Sequence, residues 1–470
     1  VIQSFEAVGS GGAAVTIRGD VKVAENTAVN LSLIVKNASL DKALHDAVPK
    51  PVAIVMDRLL DQVALDTLVA KGILEKGKVT LGGNVHLDLS VHHSGKENDS
   101  VEISGDLIFH DTTIIHNAFP LPITINDGVV RLEPNQLQIP VDKRLVFNSM
   151  GGGRGVIAGA INFDKDGNTE PDLVFKLTKV PITNAMIEAV AVSSGDSYQI
   201  VEGVLGGLGL VGVIDAVGQV TTNLKGKVGR NIEVTISNST ATPTPAFAKS
   251  IQSTDSFWPE GFTLSNVNGK VTVDYAGVHI ENVNANFDGG ELTASMKIHG
   301  GDSELEVRAT KWPISEQLVF LLPNAASSQL SSAWHFLEPT GRLDATIRMK
   351  HANGESSLHV TALPTVLGIS GNEATVLMHC DRGEIVVDDS SVFLNELLFS
   401  LEQDGASQGS VAFDGSIRVV EQKTEYDIQG KWEDAVASSP LSRAITGIIG
   451  GESAVNHYDS ISPMGTGFLT

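Results

Sequence analysis

The chain has 470 residues, and 33 Lys plus Arg against 56 Asp plus Glu leave a formal net charge of −23 at pH 7. That balance excludes a nucleic-acid binder working by phosphate neutralisation and a polybasic grip on anionic membrane, while 42 % hydrophobic residues are ample for sizeable cores in the two to four domains the length suggests. The single cysteine, Cys380, forms no internal disulfide and lacks the partners of a zinc cage, and glycine at 47 of 470 with charged residues at 19 %, against typical values near ~7 % and ~25 %, suits strands and tight turns better than surface helices.

In chain order, the first strand signal is Val29, Leu31, Leu33, Val35. A helix is expected from Pro51 to Ala70, where Val52, Val55, Met56, Leu59, Val63 and Leu68 fall near one stripe. Alternation resumes at Val85, Leu87, Leu89, Val91 and again at Leu173, Phe175, Leu177. The apolar segment Val201–Val220 carries Glu202, Asp215 and six glycines, short of the roughly 18 uninterrupted apolar residues of a membrane span. It reads as a buried or interfacial helix, with a lid or lipid-entry lip as the functional alternative. Further alternating runs are Val271, Val273, Tyr275; Leu305, Val307, Ala309; and Leu343, Ala345, Ile347, Met349. Apolar and polar residues taking turns give strands with one dry and one wet face, and the Asp-Gly, Asn-Gly and Gly-Gly pairs between them are hairpin turns. The sequence opens at Val1 without a signal-like segment, which reads as the middle portion of a longer protein whose targeting and anchoring lie elsewhere.

Compared with itself, the chain shows a long repeat. Thr-Lys-Val-Pro181-Ile182-Thr183 returns as Thr-Lys-Trp-Pro313-Ile314-Ser315 and as Ser-Ser-Pro440-Leu441-Ser442, with Asn37-Ala-Ser39-Leu40-Asp41 as a looser first copy. Positions 40, 182, 314 and 441 are separated by 142, 132 and 127 residues. Each anchor places Ser, Thr or Asp where a helix N-cap belongs, so each marks a strand leaving the sheet for a short helix. A glycine-led strand follows at Gly77, Gly226 and Gly341, and later a block recurs as Ile125-Asn-Asp-Gly128, Val267-Asn-Gly269 and Cys380-Asp-Arg-Gly383. The expected organisation is 1–36 as the end of a preceding repeat, then repeats over 37–178, 179–310 and 311–437, with 438–470 starting another repeat or a tail.

One short helix per repeat of roughly 130 residues cannot cover the apolar face of so many strands. Sandwiches would need polar linkers at the anchors, whereas the linker-like stretch Ser237–Ser256 lies in mid-repeat, and a solenoid would need a much shorter period. The expected fold is mainly β: a long curled antiparallel sheet forming a β-groove, with periodic capping helices.

The anchors Asn-Ala-Ser-Leu40-Asp-Lys-Ala-Leu44 and Lys-Trp-Pro313-Ile-Ser-Glu-Gln-Leu318, the entry Glu-Pro339-Thr-Gly341-Arg-Leu-Asp-Ala345 and the block Asn-Val-Asn-Gly269-Lys-Val…Phe-Asp-Gly-Gly290 resemble the AsmA-like family of the repeating β-groove, bridge-like lipid-transfer proteins. The similarity runs from about Leu31 to Ile449, as a pattern of apolar, Gly and Pro positions. It implies a groove lined by aliphatic side chains that carries phospholipid tails between two membranes, in the periplasm or intermembrane space of a Gram-negative-type bacterium, with membrane proteins at either end and an N-terminal anchor that this chain lacks. The expected lining residues are Val85, Leu87, Leu89, Val271, Val273, Ile280, Val283, Leu343, Ile347, Ile385 and Val387. Burying acyl groups against them recovers about 0.8 kcal/mol per methylene, so such a groove needs neither catalysis nor cofactor. The rivals are a surface stalk of tandem β-sandwiches and a carbohydrate-binding β-protein.

Sharper motifs reduce to plainer ones. Gly151-Gly152-Gly153-Arg154-Gly155 lacks the Gly-Lys-Ser/Thr of a phosphate loop and reads as a turn or bulge. Asp164-Lys-Asp166-Gly167-Asn168 lacks the twelfth-position Glu of a calcium loop and reads as a hairpin tip. His86, His92 and His93 lie on the polar side of a strand and its turn. The pair His379-Cys380 carries no nucleophile signature. Trp258, Trp312, Trp334 and Trp432 suggest a sugar-stacking row, but Trp312 and Trp432 precede anchors and read as packing residues.

Overall fold

In a computed structural model the chain is described over residues 2–8, 12–23, 27–48, 50–96, 101–116, 119–163, 169–193, 198–222, 228–244, 263–274, 277–314, 339–370, 375–388, 391–403, 405–420, 423–436, 440–461 and 466–469. The expected features at Asp164–Asn168, Gly226, Ser315, Trp258 and Trp334, and most of the stretch Ser237–Ser256, fall outside these residues. The strands form one long antiparallel sheet, as the alternation predicts. The chain divides into two compact units, one of Val1–Glu202, Val211–Ile236 and Val271–Ala276, the other of Gly203–Leu210, Ser237–Lys270 and Gly277–Thr470.

The first unit begins with β1 (Ile2–Val8), β2 (Ala14–Lys22), β3 (Ala28–Ser39), β4 (Gly82–His93), β5 (Glu102–His116) and β6 (Phe119–Glu133), each paired with the next. The short β7 (Gln136–Ile139) and β8 (Leu145–Ser149) share one place in the sheet between β6 and β9 (Arg154–Phe163). β10 (Thr169–Pro181) and β11 (Leu210–Thr222) follow in order. Residues directly opposite in an antiparallel ladder share a face, so Val15, Val35, Leu87, Leu107 and Val130 form one apolar row across five strands. Thr16, Ile34, Asp88, Asp106 and Arg131 form a row on the reverse face, where Arg131 Nε donates to Asp106 at 2.9 Å.

Between β3 and β4 lie α1 (Lys42–Ala47), α2 (Lys50–Leu59) and α3 (Gln62–Ala70). The helix expected over Pro51–Ala70 is therefore two helices. The Asp61 carboxylate accepts the Ala64 N–H at 2.9 Å and starts a new N-terminus, while Leu60 bridges to Ile115 of β5. Leu65, Leu68 and Leu74 pack on Ile115, joined by Val79 and Leu81. The strand expected to start at Gly77 is likewise absent: Gly77 sits in a turn at φ +80°, and β4 starts at Gly82, because Val79 and Leu81 are drawn onto the helices instead of the ladder.

After β10, Thr183 caps α4 (Asn184–Ser193), its Oγ1 accepting the Met186 N–H at 3.2 Å. The segment Val201–Val220 is divided between α5 (Tyr198–Gly207) and β11, with Val201 buried and Val211 and Val217 exposed. Glu188 on α4 is buried but fully partnered. Lys71 Nζ, just beyond α3, donates to its Oε1 at 2.7 Å and the Tyr198 hydroxyl of α5 donates to its Oε2 at 3.0 Å. One carboxylate thus ties three helices together, and the Glu188 partner holds the Lys71 ammonium above its usual range.

β12 (Val228–Ala241) and β13 (Leu264–Val273) precede the second unit's main run. That run is β14 (Val278–Phe287), β15 (Gly290–His299), β16 (Asp302–Pro313), β17 (Pro339–Ala352), β18 (Glu355–Ser370), β19 (Thr375–Asp388), β20 (Ser391–Gln403), β21 (Ala406–Val420), β22 (Lys423–Val436) and β23 (Thr466–Leu469), each hydrogen-bonded to its successor. The anchor at 441 leads into α6 (Pro440–Ile461). Pro440 is its first residue, a position that needs no N–H, so Ser442 lies inside the helix and does not cap it.

One irregularity recurs through both units. Among the described residues, β22 and β23 have such a bulge at Asp434 (φ 55°) opposite Phe468, and in five further strand pairs two residues oppose one polar residue, the second of the two being left-handed: Asn37, Lys179, Asn282, Lys311 and Glu396, at φ between 47° and 52°. In each of the five, the backbone N–H of that residue donates to the side chain of the single residue opposite, respectively His86, Asp215, Ser295, Asp344 and Asp414. Asn238 on β12 makes the same bond to Asn268 on β13. The repeated Thr-Lys-Val and Thr-Lys-Trp motifs are two of these bulges. Two glycines press against these bulges: a Cβ on Gly153 would lie 2.6 Å from the Val180 Cα, and one on Gly290 2.8 Å from the Lys311 oxygen.

Candidate functional site: an apolar sheet face

The bulges decide which side chains share a face. A regular strand puts residues i and i+2 on one side, yet Ile280 and Val283, Ala309 and Trp312, and Leu394 and Leu397 are three apart and all lie on the apolar side. The extra residue restores the phase. In the second unit this yields a row that crosses eight strands: Val283, Ala294, Val307, Ile347, Val360, Val387, Val392 and Ile417, from β14 to β21. At the usual strand spacing such a row is about 34 Å long.

A second row beside it is built of smaller groups: Ala285, Leu292, Ala309, Ala345, Ala362, Ile385, Leu394 and Gly415. On its far side Trp312, Leu343 and Pro364 stand opposite one another, with the Phe287 ring stacked 5.0 Å from Trp312. On the other side of the first row lie Ile280, Met296, Leu305, Met349 and Leu358. The relief is a low alanine furrow between two higher ridges. Most of the first row is half-buried, Val283, Val307, Ile347 and Val360 included, while Val387 and Val392 are closed off. The reverse face carries Glu306, Arg348, His359 and Asp388 in one row. There Arg348 Nε meets Glu306 at 3.0 Å and holds that carboxyl below its usual range, with Arg308 helping.

Of the residues expected to line a groove, Val283, Ile347 and Val387 meet in the first row, Ile385 in the second, Leu343 beside Trp312, and Ile280 in the methionine-bearing row. Val271 and Val273 lie on β13, half-buried. Val85, Leu87 and Leu89 share a face on β4 but are 0 %, 2 % and 0 % exposed, closed off by the protein's own atoms. Ala294, Val307, Val360, Val392 and Ile417 belong to the same row and were not among the expected residues.

The remaining candidates settle elsewhere. Trp312 and Trp432 are buried at 6 % and 3 % exposure, and Trp432 Nε1 donates to the Gln408 oxygen at 3.3 Å, so they pack strand ends and do not form an exposed row. Cys380 is half-buried, opposite Phe399 of β20 and packed against the apolar cluster that also holds Trp432, and burial pushes its thiol up. Among the described residues no three His, Cys, Asp or Glu side chains gather as a metal site, and no helix is long and apolar enough to cross a membrane. No protein-family model, curated protein or solved structure matches the chain.

Proposed function

We propose that this protein is a non-enzymatic lipid carrier whose apolar sheet face conducts phospholipid acyl chains between two membranes while headgroups stay in water. The observation that supports this reading is the aliphatic row from Val283 to Ile417, half-open at six of its eight positions and backed by a charged reverse face. Rows of Val, Ile, Leu, Ala and Met offer an acyl chain continuous contact with no polar group to arrest it. At about 0.8 kcal/mol per methylene, the face lowers the cost of taking tails through water, and its uniformity leaves no single position at which a lipid stalls. Membrane proteins at either end, and a periplasmic or intermembrane setting, complete the proposal. The test is organic extraction of the purified chain followed by mass spectrometry. Co-purifying phospholipid is the expected result, and a lipid-free, monodisperse protein that acquires no lipid from vesicles overturns it.

A further inference from the structure

Five of the six bulge bonds end on a carboxylate, an amide or a hydroxyl: Asp215, Asn268, Ser295, Asp344 and Asp414. The sixth ends on an imidazole, where Asn37 N–H donates to His86 Nδ1 at 2.9 Å. A backbone N–H can only donate, so this bond requires Nδ1 to be unprotonated, with the ring proton on Nε2. Of these acceptor types, imidazole is the one whose ordinary range brings a change of charge between about pH 5 and 8. We propose that the β3–β4 bulge is a proton-sensitive joint, at which protonation of His86 withdraws the acceptor from Asn37 and frees the strand end that leads into α1.

The surroundings set what a proton meets there. On the bulged strand the neighbour is Lys36, and on β4 itself Asp88 is two residues on. Across β5 lie His110, whose ring packs edge-on at 4.9 Å, and Asp106, held by Arg131 of β6. Asp127 of β6 stands 3.9 Å from His110. A proton on His86 Nδ1 leaves a donor facing the Asn37 donor. Three residues beyond the bulge, Leu40 N–H bonds to Gly83 O at 2.7 Å, and Asp41 caps α1 through the Leu44 N–H at 3.1 Å. Between the bulge and the helices the strand keeps only two ladder pairs, Ala38 with Val85 and Ser39 with Asn84, and the Leu40–Gly83 bond.

Hydrogen exchange on the intact chain tests this, reading the Asn37 amide against Lys311 and Glu396 as internal references after correction for intrinsic rates. Protection at Asn37 should fall roughly tenfold between about pH 8 and 5 while the references hold. In His86→Asn, which reproduces the Asn238–Asn268 pair, Asn37 should stay protected and the pH dependence should vanish. A pH-independent Asn37 in the wild type, or an unchanged pH dependence in His86→Asn, overturns the proposal. His110→Gln separates the two histidines: the pH dependence should survive it, and its loss there would move the switch to His110 and equally overturn the assignment.

Discussion

The backbone N–H of Lys311 donates to the carboxylate of Asp344 at 2.7 Å, across a bulge at which two residues of β16 face one of β17. Arg342 secures the same place from the other direction, its guanidinium donating to the Lys311 oxygen at 2.7 Å and the Asp288 oxygen at 3.0 Å. Asp344→Ala should cost about 1–2 kcal/mol through an unsatisfied donor, and Asp344→Asn, which keeps an acceptor, much less. Thermal or denaturant unfolding of the two variants measures the difference, and equal losses would mean that the bond to Lys311 is not what holds the bulge.

Ile347 and Val85 read alike in the sequence, both inward positions of an alternating strand, but one is half-open and the other fully closed. Ile347→Asp is expected to fold and to lose lipid, since its charge reaches water at the open face. Val85→Asp buries a charge with no partner and is expected to unfold the first unit. Circular dichroism together with lipid extraction separates the two. If Ile347→Asp unfolds the chain as Val85→Asp does, the row is a packed core and the lipid reading fails.

The alanine furrow makes a prediction of opposite shape. Ala345→Phe adds bulk between the Ile347 ridge and Leu343 without adding charge, so the protein should fold while retained acyl lipid falls several-fold, as quantified by mass spectrometry. Unchanged lipid content would place the tails elsewhere on the face.

Lys71, Glu188 and Tyr198 form a network in which the central carboxylate is buried. Lys71→Met leaves Glu188 short of a cation and should destabilise by about 1–3 kcal/mol, the lysine itself being well exposed. The double variant Lys71→Met with Glu188→Leu removes the buried charge as well and should recover much of that loss. A double-mutant cycle by denaturant unfolding checks the coupling.

His45 on α1 sits 3.1 Å from Asp46 and 3.0 Å from Asp57 of α2, and these partners, Asp46 foremost, raise its protonation midpoint. The sign follows: the contribution to α1–α2 docking is complete below the ordinary imidazole range and is lost as pH rises through the raised value. Titration by NMR should find that Asp46→Asn brings the His45 midpoint down, with Asp57→Asn doing so to a smaller degree. An unchanged midpoint in both would leave the two helices held by other contacts.

How much of this was readable in advance depended on whether the signal was local. Alternation such as Val85, Leu87, Leu89 is a local record of a one-faced strand, so the mainly β sheet was legible, and the Asp41 and Thr183 caps mark helix starts by the same local logic. The helix break at Asp61 was legible in principle, since a carboxylate three residues before Ala64 is a capping signal, but the continuous apolar stripe masked it. The bulges left only a three-residue gap between apolar positions, as in Ile280 to Val283, which reads as broken alternation until the strand opposite is known. Whether an inward valine is closed over, as Val85 is, or half-open, as Val360 is, depends on chain far away in sequence and leaves no local trace.

The bulges also govern how these strands can change length over evolutionary time. Deleting one residue from the middle of a regular strand inverts every side chain beyond the cut. Deleting Glu281 or Asn282 instead removes the surplus residue, and Ile280 and Val283 still face the same way. Each left-handed position is thus a place where the gene can lose a codon without turning the strand inside out, and related chains should differ by single-residue gaps there before they do anywhere else in the sheet.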